Sequence, residues 1–337
     1  MPGSPHPVTA IKLIDVPPVV GRIDSLHAEF ELDSAYSAAF GSYREICWKR
    51  RASVTLTLDE PHPLDWLLDK AGVVQSFLSL LIGHAVGMTG ISLRGAEQEI
   101  MPDVVDRTVV DVLYHRKGQP VRSPNDHPAM MLLRLPDVAD ALSSLLDTWC
   151  REHDRLHLPL ALLWSVQQQG FAYREPEFLA ITQALEALSR ARDDEVYLSP
   201  KEWAPICDAL IAAIPAGITN SHKVSLEARL RYGNEWSLRK RLTALLEGLP
   251  RDARDLVTGG STGFVDEVVK ERNALTHRGS QQERPFKGLE LVHATLRLQL
   301  LLVLFALHAI GVEDDQLVPA ARRCQYLRMV VPPNMAE

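Results

Sequence analysis

The sequence predicts an α+β fold, with a β-rich domain at the N-terminus followed by an all-α helical bundle. Two patterns carry that expectation. Up to about residue 135, short β-branched or alternating runs are set apart by turn residues, with prolines at 17, 18, 61 and 63. Beyond Pro136, apolar residues recur at i, i+3, i+4 over stretches of helical length. A chain of 337 residues is long enough to bury two cores. The expected division is a β-rich domain over 1–160, a helical domain over 170–315 and a C-terminal tail over 316–337, with the change of character near 155–175.

In the first part, Val8–Ile14, His27–Leu32, Ser53–Leu58, Gly90–Leu93, Thr108–Tyr114 and Met130–Leu135 read as extended. Between them, Leu64–Ile82 has helical length and periodicity, with proline just ahead of its first turn. In the second part, helices are expected over Asp137–Trp149, Glu175–Arg192, Lys201–Ile214, Ser225–Tyr232, Trp236–Leu249 and Gly288–Ile310. Leu156–Gln168 is apolar without a periodicity that assigns it.

Hydrophobic and charged contents of 46% and 23% are ordinary for a soluble globular protein, and a net charge of -7 argues against a DNA-coating role. Four scattered cysteines (Cys47, Cys150, Cys207, Cys324) show no pairing pattern, as expected in a reducing cytosol. The N-terminus lacks the charged start and apolar core of a signal peptide. The longest apolar run, Leu300–Leu307, reads as a buried bundle helix rather than a membrane span. The expected location is cytoplasmic.

The stretch that stands out is Phe264–Gly279. It follows Gly259-Gly260-Ser261-Thr262-Gly263, where Ser261 or Thr262 can cap a helix, and it can stop at Gly279. Asp266 and Glu267 suit the positive end of the helix dipole. Its first turns carry Phe264, Val265, Val268 and Val269; further on come Arg272, Asn273, Thr276 and His277, within an arc of roughly 140°. An apolar stripe thus runs into a cation, an amide, a hydroxyl and an imidazole. The Arg-x4-His spacing also occurs at Arg22/His27 and Arg122/His127, next to prolines. Only the third match adds an asparagine and a helical setting.

Such a cluster suits metal-free cleavage of an RNA phosphodiester. A histidine can take the proton of a ribose 2′-hydroxyl or supply one to the leaving oxygen. An arginine offers a fixed fork of donors to the charge growing on the phosphate. Asn273 and His277 are i, i+4 neighbours, so the amide can orient the ring. One helix supplies one histidine, and a two-fold dimer would supply a second.

The pattern Arg272-Asn273-x3-His277 near the end of a bundle helix, with another long helix after it, resembles the Arg-polar-x3-6-His signature of the HEPN superfamily. The nearer resemblance is to HEPN proteins of the ApeA anti-phage kind. It rests also on Phe178–Arg190, Ser225–Leu230 and Val268–His277, extends over 175–311 and more loosely over 63–165, and leaves residues 1–60 outside. It implies a helical bundle, a homodimer formed through that bundle, and an endoribonuclease leaving 2′,3′-cyclic phosphate ends in abortive infection. Its RNA substrate would be of the tRNA, mRNA or rRNA class, and its trigger phage-derived. The resemblance gives Arg272, Asn273 and His277 the catalytic roles; Thr276, from its place on the same helix face, is a supporting candidate. The resemblance also sets an acidic residue at Glu186, which could fix the Arg272 guanidinium across the bundle or simply face solvent at the helix boundary. A restraint on the activity would fall to the N-terminal domain.

Other groups compete for attention. Arg229, Arg231, Arg239, Lys240 and Arg241, with Tyr232 and Trp236 interleaved, could follow RNA phosphates or simply form a solvated face. Cys150-x2-His153-x3-His157 has ligand-like spacing and would carry a third reading, a metal-dependent hydrolase, but it lacks a fourth ligand; no metal site is expected, and no cofactor. Gly259–Gly263 lacks the lysine of a phosphate-binding loop and reads as a connector. From a different class, a non-catalytic HEPN scaffold that binds a nucleotide or a protein would use the same residues as an interface.

Overall fold

The computed structural model describes residues 17–42, 45–95, 98–101, 104–106, 109–112, 127–169, 173–191, 196–276 and 284–331, with backbone alone at 35–42, 45–51, 98–101, 104–106 and 169. A small β-rich region is followed by a helical one, the α+β arrangement the sequence predicts.

Strand β1 (Val19–Ile23) pairs antiparallel with β2 (Ala28–Ser42), and β2 with β3 (Glu45–Leu58). The β-branched runs at 27–32 and 53–58 therefore fall in one sheet, paired through registers such as Phe30 with Leu56. The sequence reading found only the inner ends of β2 and β3, because their outer residues, such as Ala38-Ala39 and Lys49-Arg50-Arg51, lack apolar alternation. It also passed over β1. At Gly21 a Cβ would stand 2.8 Å from the Phe30 ring and from Ser143 Oγ, so this strand needs a glycine in order to lie on its neighbours.

Helix α1 (Leu64–Ile82) has the expected bounds and ends on Gly83, left-handed at φ 86°. Four short strands follow: β4 (Ile91–Arg94) pairs with β7 (Val109–Val112), and β5 (Gln98–Met101) with β6 (Val104–Asp106). Met130–Leu135, expected as extended, belongs to no strand. It crosses the end of α1, where the Leu132 and Leu133 amides each donate to the last α1 carbonyls at 2.9 Å. Those carbonyls have no partner within their own helix, which is why a β-like sequence is used here as a cap. Val8–Ile14 and residue 108 of the expected Thr108–Tyr114 lie outside the described residues, as do 113 and 114.

The helical part opens with the single turn α2 (Leu135–Val138) and the long α3 (Leu142–Gln169). Pro159 lies inside α3, and the unassigned Leu156–Gln168 is the second half of this one helix. Then come α4 (Arg174–Arg190), α5 (Pro200–Ala212), α6 (Asn220–Arg231), α7 (Leu238–Glu247), α8 (Arg251–Thr258), α9 (Phe264–Thr276), α10 (Leu289–Ala309) and α11 (Asp314–Arg323). The expected helix Trp236–Leu249 is α7; α8, which starts after Pro250 as its N-cap, has no counterpart among the helices expected from the sequence.

One apolar core runs through all of this. Ile23, Phe30 and Phe77 from the N-terminal region join Trp149, Leu156 and Leu160 of α3, Phe178, Ile181 and Leu185 of α4, and the length of α10 in a single buried cluster. By length and composition α10 could cross a membrane, but 78% of its apolar window is buried inside the fold, and it serves as the central helix of the bundle. After residue 315, Leu317, Ala320, Ala321, Cys324, Leu327, Val330 and Val331 are all buried in the same cluster. The Cys324 thiol lies 3.1 Å from the Met130 carbonyl, which ties this C-terminal segment to the N-terminal region.

The pair α5–α6 departs from the rest. Of its side chains only Cys207 is buried, and α6 buries none. It forms an arm closed at a neck: the Asn234 amide accepts from Leu198 N at 2.9 Å and donates to Leu198 O at 2.7 Å, while Trp236 Nε1 donates to Val196 O at 3.0 Å.

Candidate functional site

Helix α9 positions the motif. The Glu267 amide donates to Gly263 O, and the Ser261 hydroxyl accepts from the Gly263 amide at 3.2 Å, so the expected cap acts one residue ahead of the helix. The buried positions are Phe264, Val268 and Glu271, the i, i+4, i+7 stripe of a helix facing a core. The residue that continues the apolar stripe is therefore Glu271. Arg272 and Asn273 flank it, half-buried, and Thr276 is exposed. Arg272 Nη1 donates to Asn273 Oδ1 at 3.3 Å, and the Thr276 hydroxyl donates back to Arg272 O at 2.9 Å. Arginine and amide thus meet beside solvent on the last turn of α9. His277 and Gly279 lie outside the described residues.

Glu271, not singled out from the sequence, is 0% exposed. Its carboxylate accepts from Arg284 Nε at 2.8 Å and lies 2.7 Å from Arg284 Nη2; its second oxygen accepts from the Phe286 amide at 3.3 Å. Arg284 Nη1 continues to Glu175 Oε1 on α4 at 3.2 Å. Burial by itself would lower the Arg284 pKa, but its bonds to Glu271 and Glu175 raise it above the ordinary value. The Glu175 carboxyl is held below its usual range, first by a backbone amide at the start of α4 and then by Arg284. Phe286 packs edge-on against Phe178 of α4, with ring centroids 6.4 Å apart. Behind this cluster the buried Gln299 donates to Glu177 at 3.1 Å and lies 3.3 Å from the Tyr326 hydroxyl, which burial and the Glu177 charge push up to about 12.

The sequence could have revealed Glu271. It stands seven residues after Phe264 and three after Val268, so a strict count along the core stripe lands on it rather than on Arg272. Arg284 carried no such signal.

The remaining predicted residues lie elsewhere. Glu186 does not reach Arg272: it accepts from Arg190 at 3.2 Å, one turn along α4. Helical spacing sets Glu186 about 16 Å along α4 from Glu175, at the end where the arm is attached. Arg190 also pairs with Glu235 at 3.1 Å. The basic stretch belongs to this second end. Arg229 and Arg231 are exposed on α6. Arg239 pairs with Asp266 in the first turn of α9, and the Lys240 ammonium sits 5.2 Å from the Trp236 ring centroid. Arg241 is 2% exposed and donates to Trp236 O at 3.0 Å, with Glu235 at 3.6 Å, so it is a buried brace of the neck rather than a groove cation.

Cys150, His153 and His157 share a face of α3, with the two imidazole rings 4.9 Å apart. Burial and the nearby Asp147 push the Cys150 thiol up to about 11, and burial with His157 holds His153 below its usual value. Among the described residues no three His, Cys, Asp or Glu side chains are placed to hold a metal ion. At the Gly259–Gly263 joint, Arg297 of α10 donates to Val257 O at 3.2 Å and so covers the last carbonyls of α8; burial lowers its pKa.

Comparison with protein-family models accounts for both halves of the chain. Residues 179–316 match the model described as Apea-like HEPN, and residues 5–149 match the model described as ApeA N-terminal domain 1. The second match takes in residues 5–60, which the sequence reading left outside its resemblance. Searches of curated proteins and of solved structures returned no match. The two family models lie in tandem, with the arginine–asparagine pair of α9 inside the first, and by them the chain belongs to the ApeA-like HEPN proteins.

Proposed function

We propose that this anti-phage HEPN protein is a metal-independent endoribonuclease that acts through Arg272, Asn273 and His277. The observation that carries this reading is the Arg272–Asn273 contact on the last turn of α9, beside solvent and inside the Apea-like HEPN match. His277 follows directly in the sequence. In the proposed reaction a ribose 2′-oxygen attacks the adjacent phosphorus, the 5′-oxygen leaves, and a 2′,3′-cyclic phosphate remains. The His277 imidazole accepts the 2′-hydroxyl proton or protonates the leaving oxygen. Arg272 stabilises the charge that builds on the phosphate, and Asn273 holds the guanidinium in place. Thr276, bonded to the Arg272 and Asn273 carbonyls, keeps the final turn closed.

A homodimer would bring two such clusters together and supply an acid and a base. The ApeA N-terminal region shares one core with the bundle, a basis for coupling a phage-derived trigger to the activity. The test is cleavage of total RNA and of tRNA by wild-type and His277→Ala protein in the presence of chelator, with analysis of product ends. Cyclic-phosphate ends from wild type alone are expected. Equal cleavage by both proteins, or loss of wild-type cleavage with chelator, would exclude the reading.

A second reading, a non-catalytic HEPN scaffold, draws on the arm. Val224 and Tyr232 there are 57% and 70% exposed, an apolar surface open to a partner. In that case Val224→Ser/Tyr232→Ser would disturb assembly, and His277→Ala would have no cleavage to lose.

A further inference from the structure

The proposed motif runs from Arg272 to His277 in the sequence. What lies on either side is unusual. Immediately before the motif, a carboxylate with no solvent exposure sits at a position that an apolar residue would otherwise fill. Thirteen and fifteen residues further along the chain, Arg284 and the Phe286 amide meet that carboxylate. A buried carboxylate is tolerated only when paired and hydrogen-bonded. Here three donor groups come from that later segment: Arg284 Nε at 2.8 Å, Arg284 Nη2 at 2.7 Å and Phe286 N at 3.3 Å. Arg284 then reaches Glu175 of α4 at 3.2 Å, and Phe286 seats on Phe178 of the same helix. A valine or leucine at 271 could fill the core stripe but could bind none of these groups. Burying an ion here has a consequence an apolar residue would not have: the last turn of α9 and the start of the segment leading to α10 share one fixed point, itself anchored to α4.

We propose that Glu271 is a positioning residue for the motif, fixing the last turn of α9, which carries Arg272 and Asn273, against Arg284 and the Phe286 amide. This rests on the nuclease reading, because it assigns Glu271 a purpose in cleavage. Glu271 itself touches no substrate. A catalytic group displaced by about 1 Å can lose about 10²-fold in rate, so the cost of loosening this turn appears in turnover rather than in RNA binding.

The experiment compares full-length wild type, Glu271→Gln and Arg284→Lys by hydrogen–deuterium exchange and by cleavage kinetics on tRNA with chelator, with His277→Ala as the control. Glu271→Gln keeps the shape of the side chain and removes its charge. Arg284→Lys keeps a cation for Glu271 but cannot reach Glu271 and Glu175 together. Expected for Glu271→Gln is faster exchange confined to peptides over 270–288, with α4 and α10 as protected as in wild type. Its kcat should fall about 10- to 100-fold with KM within about twofold. Arg284→Lys should shift both readouts in the same direction and by less. Unchanged exchange over 270–288 in Glu271→Gln would overturn the proposal whatever the protein cleaves. So would raised exchange with wild-type kcat, or a loss carried wholly by KM. A wild type that cleaves no better than His277→Ala would remove the nuclease reading and the positioning role with it, and the exchange data would then describe a tie in the fold alone.

Discussion

At one end of α4 a carboxylate is buried and a guanidinium covers it; at the other a guanidinium is buried and a carboxylate covers it. Glu271 is 0% exposed beneath Arg284, whose side chain is 37% exposed, whereas Arg241 is 2% exposed beneath Glu235. The two clusters join different things. The first ties the segment of Arg284 and Phe286 to α9 and α4 beside Arg272. The second joins α4, through Arg190, to the neck of an arm that buries little of itself. A buried carboxylate accepts several donors at once and can gather chain around itself. Arg241, by contrast, donates to Trp236 O and lies 3.6 Å from Glu235, and so braces the neck. The end built for gathering is the end with the motif.

This comparison can be broken by substitution, and the largest effect is expected at the motif end. Arg284→Ala leaves the Glu271 carboxylate buried without its cation and should cost about 3 kcal/mol, the lower end for breaking a buried pair because Arg284 is partly solvated. A shift of the urea midpoint measures it, and a shift under about 0.5 kcal/mol would show that the carboxylate is not held as an ion there.

At the arm end the expected loss is local. Asn234→Ala removes both bonds to Leu198 and should cost about 1–2 kcal/mol. Because the arm shares little core with the bundle, the loss should appear as faster hydrogen exchange over 196–237 with a nearly unchanged Tm. A concerted drop in Tm would mean that the arm is part of the main cooperative unit.

Asp137 offers a case between the two. Burial would raise its pKa, but the amide and side chain of Arg134, together with the charge of Arg323 on α11, hold it below the usual carboxylate range. A carboxyl lowered in the folded state stabilises above its unfolded pKa and loses that contribution as pH falls through the folded value. Asp137→Asn should therefore cost about 1 kcal/mol at pH 7 and close to nothing at the acid end of the unfolding profile. A cost that does not change with pH would place the effect in packing. Smallest of all is Arg190→Ala: its ion pairs to Glu186 and Glu235 are solvent-exposed, and a change within about 1 kcal/mol is expected.

Much of the fold was legible because its signals are local. Leu64–Ile82 carries its periodicity, its proline and its C-terminal glycine within one stretch, and the helix has those bounds. Met130–Leu135 misled because its use is set by a distant partner: the same apolar residues that would make a strand instead close the end of α1. Strand β1 was hidden for a related reason, since Gly21 answers to Phe30 and Ser143 rather than to its own neighbours. At the candidate site, Arg272 and Asn273 could be read as a spacing on one helix. Glu186 was set against Arg272 by analogy, but its own helix offers Arg190 one turn away, and a neighbour at i+4 is reached more readily than one across a bundle. Glu271 was within reach of a careful count, whereas its partner Arg284 lies thirteen residues on and is found only through the fold.

The central claim is that chemistry belongs to the motif end of α4 and not to the arm end. The direct measurement sets His277→Ala beside Arg229→Ala/Arg231→Ala in one chelator-containing RNA cleavage assay. Loss of at least about 10²-fold in His277→Ala is predicted. The arm variant should keep its cyclic-phosphate products, with a change of only a few-fold that weakens as salt is raised. A protein that cleaves normally without His277 but not without the arm arginines would contradict the account.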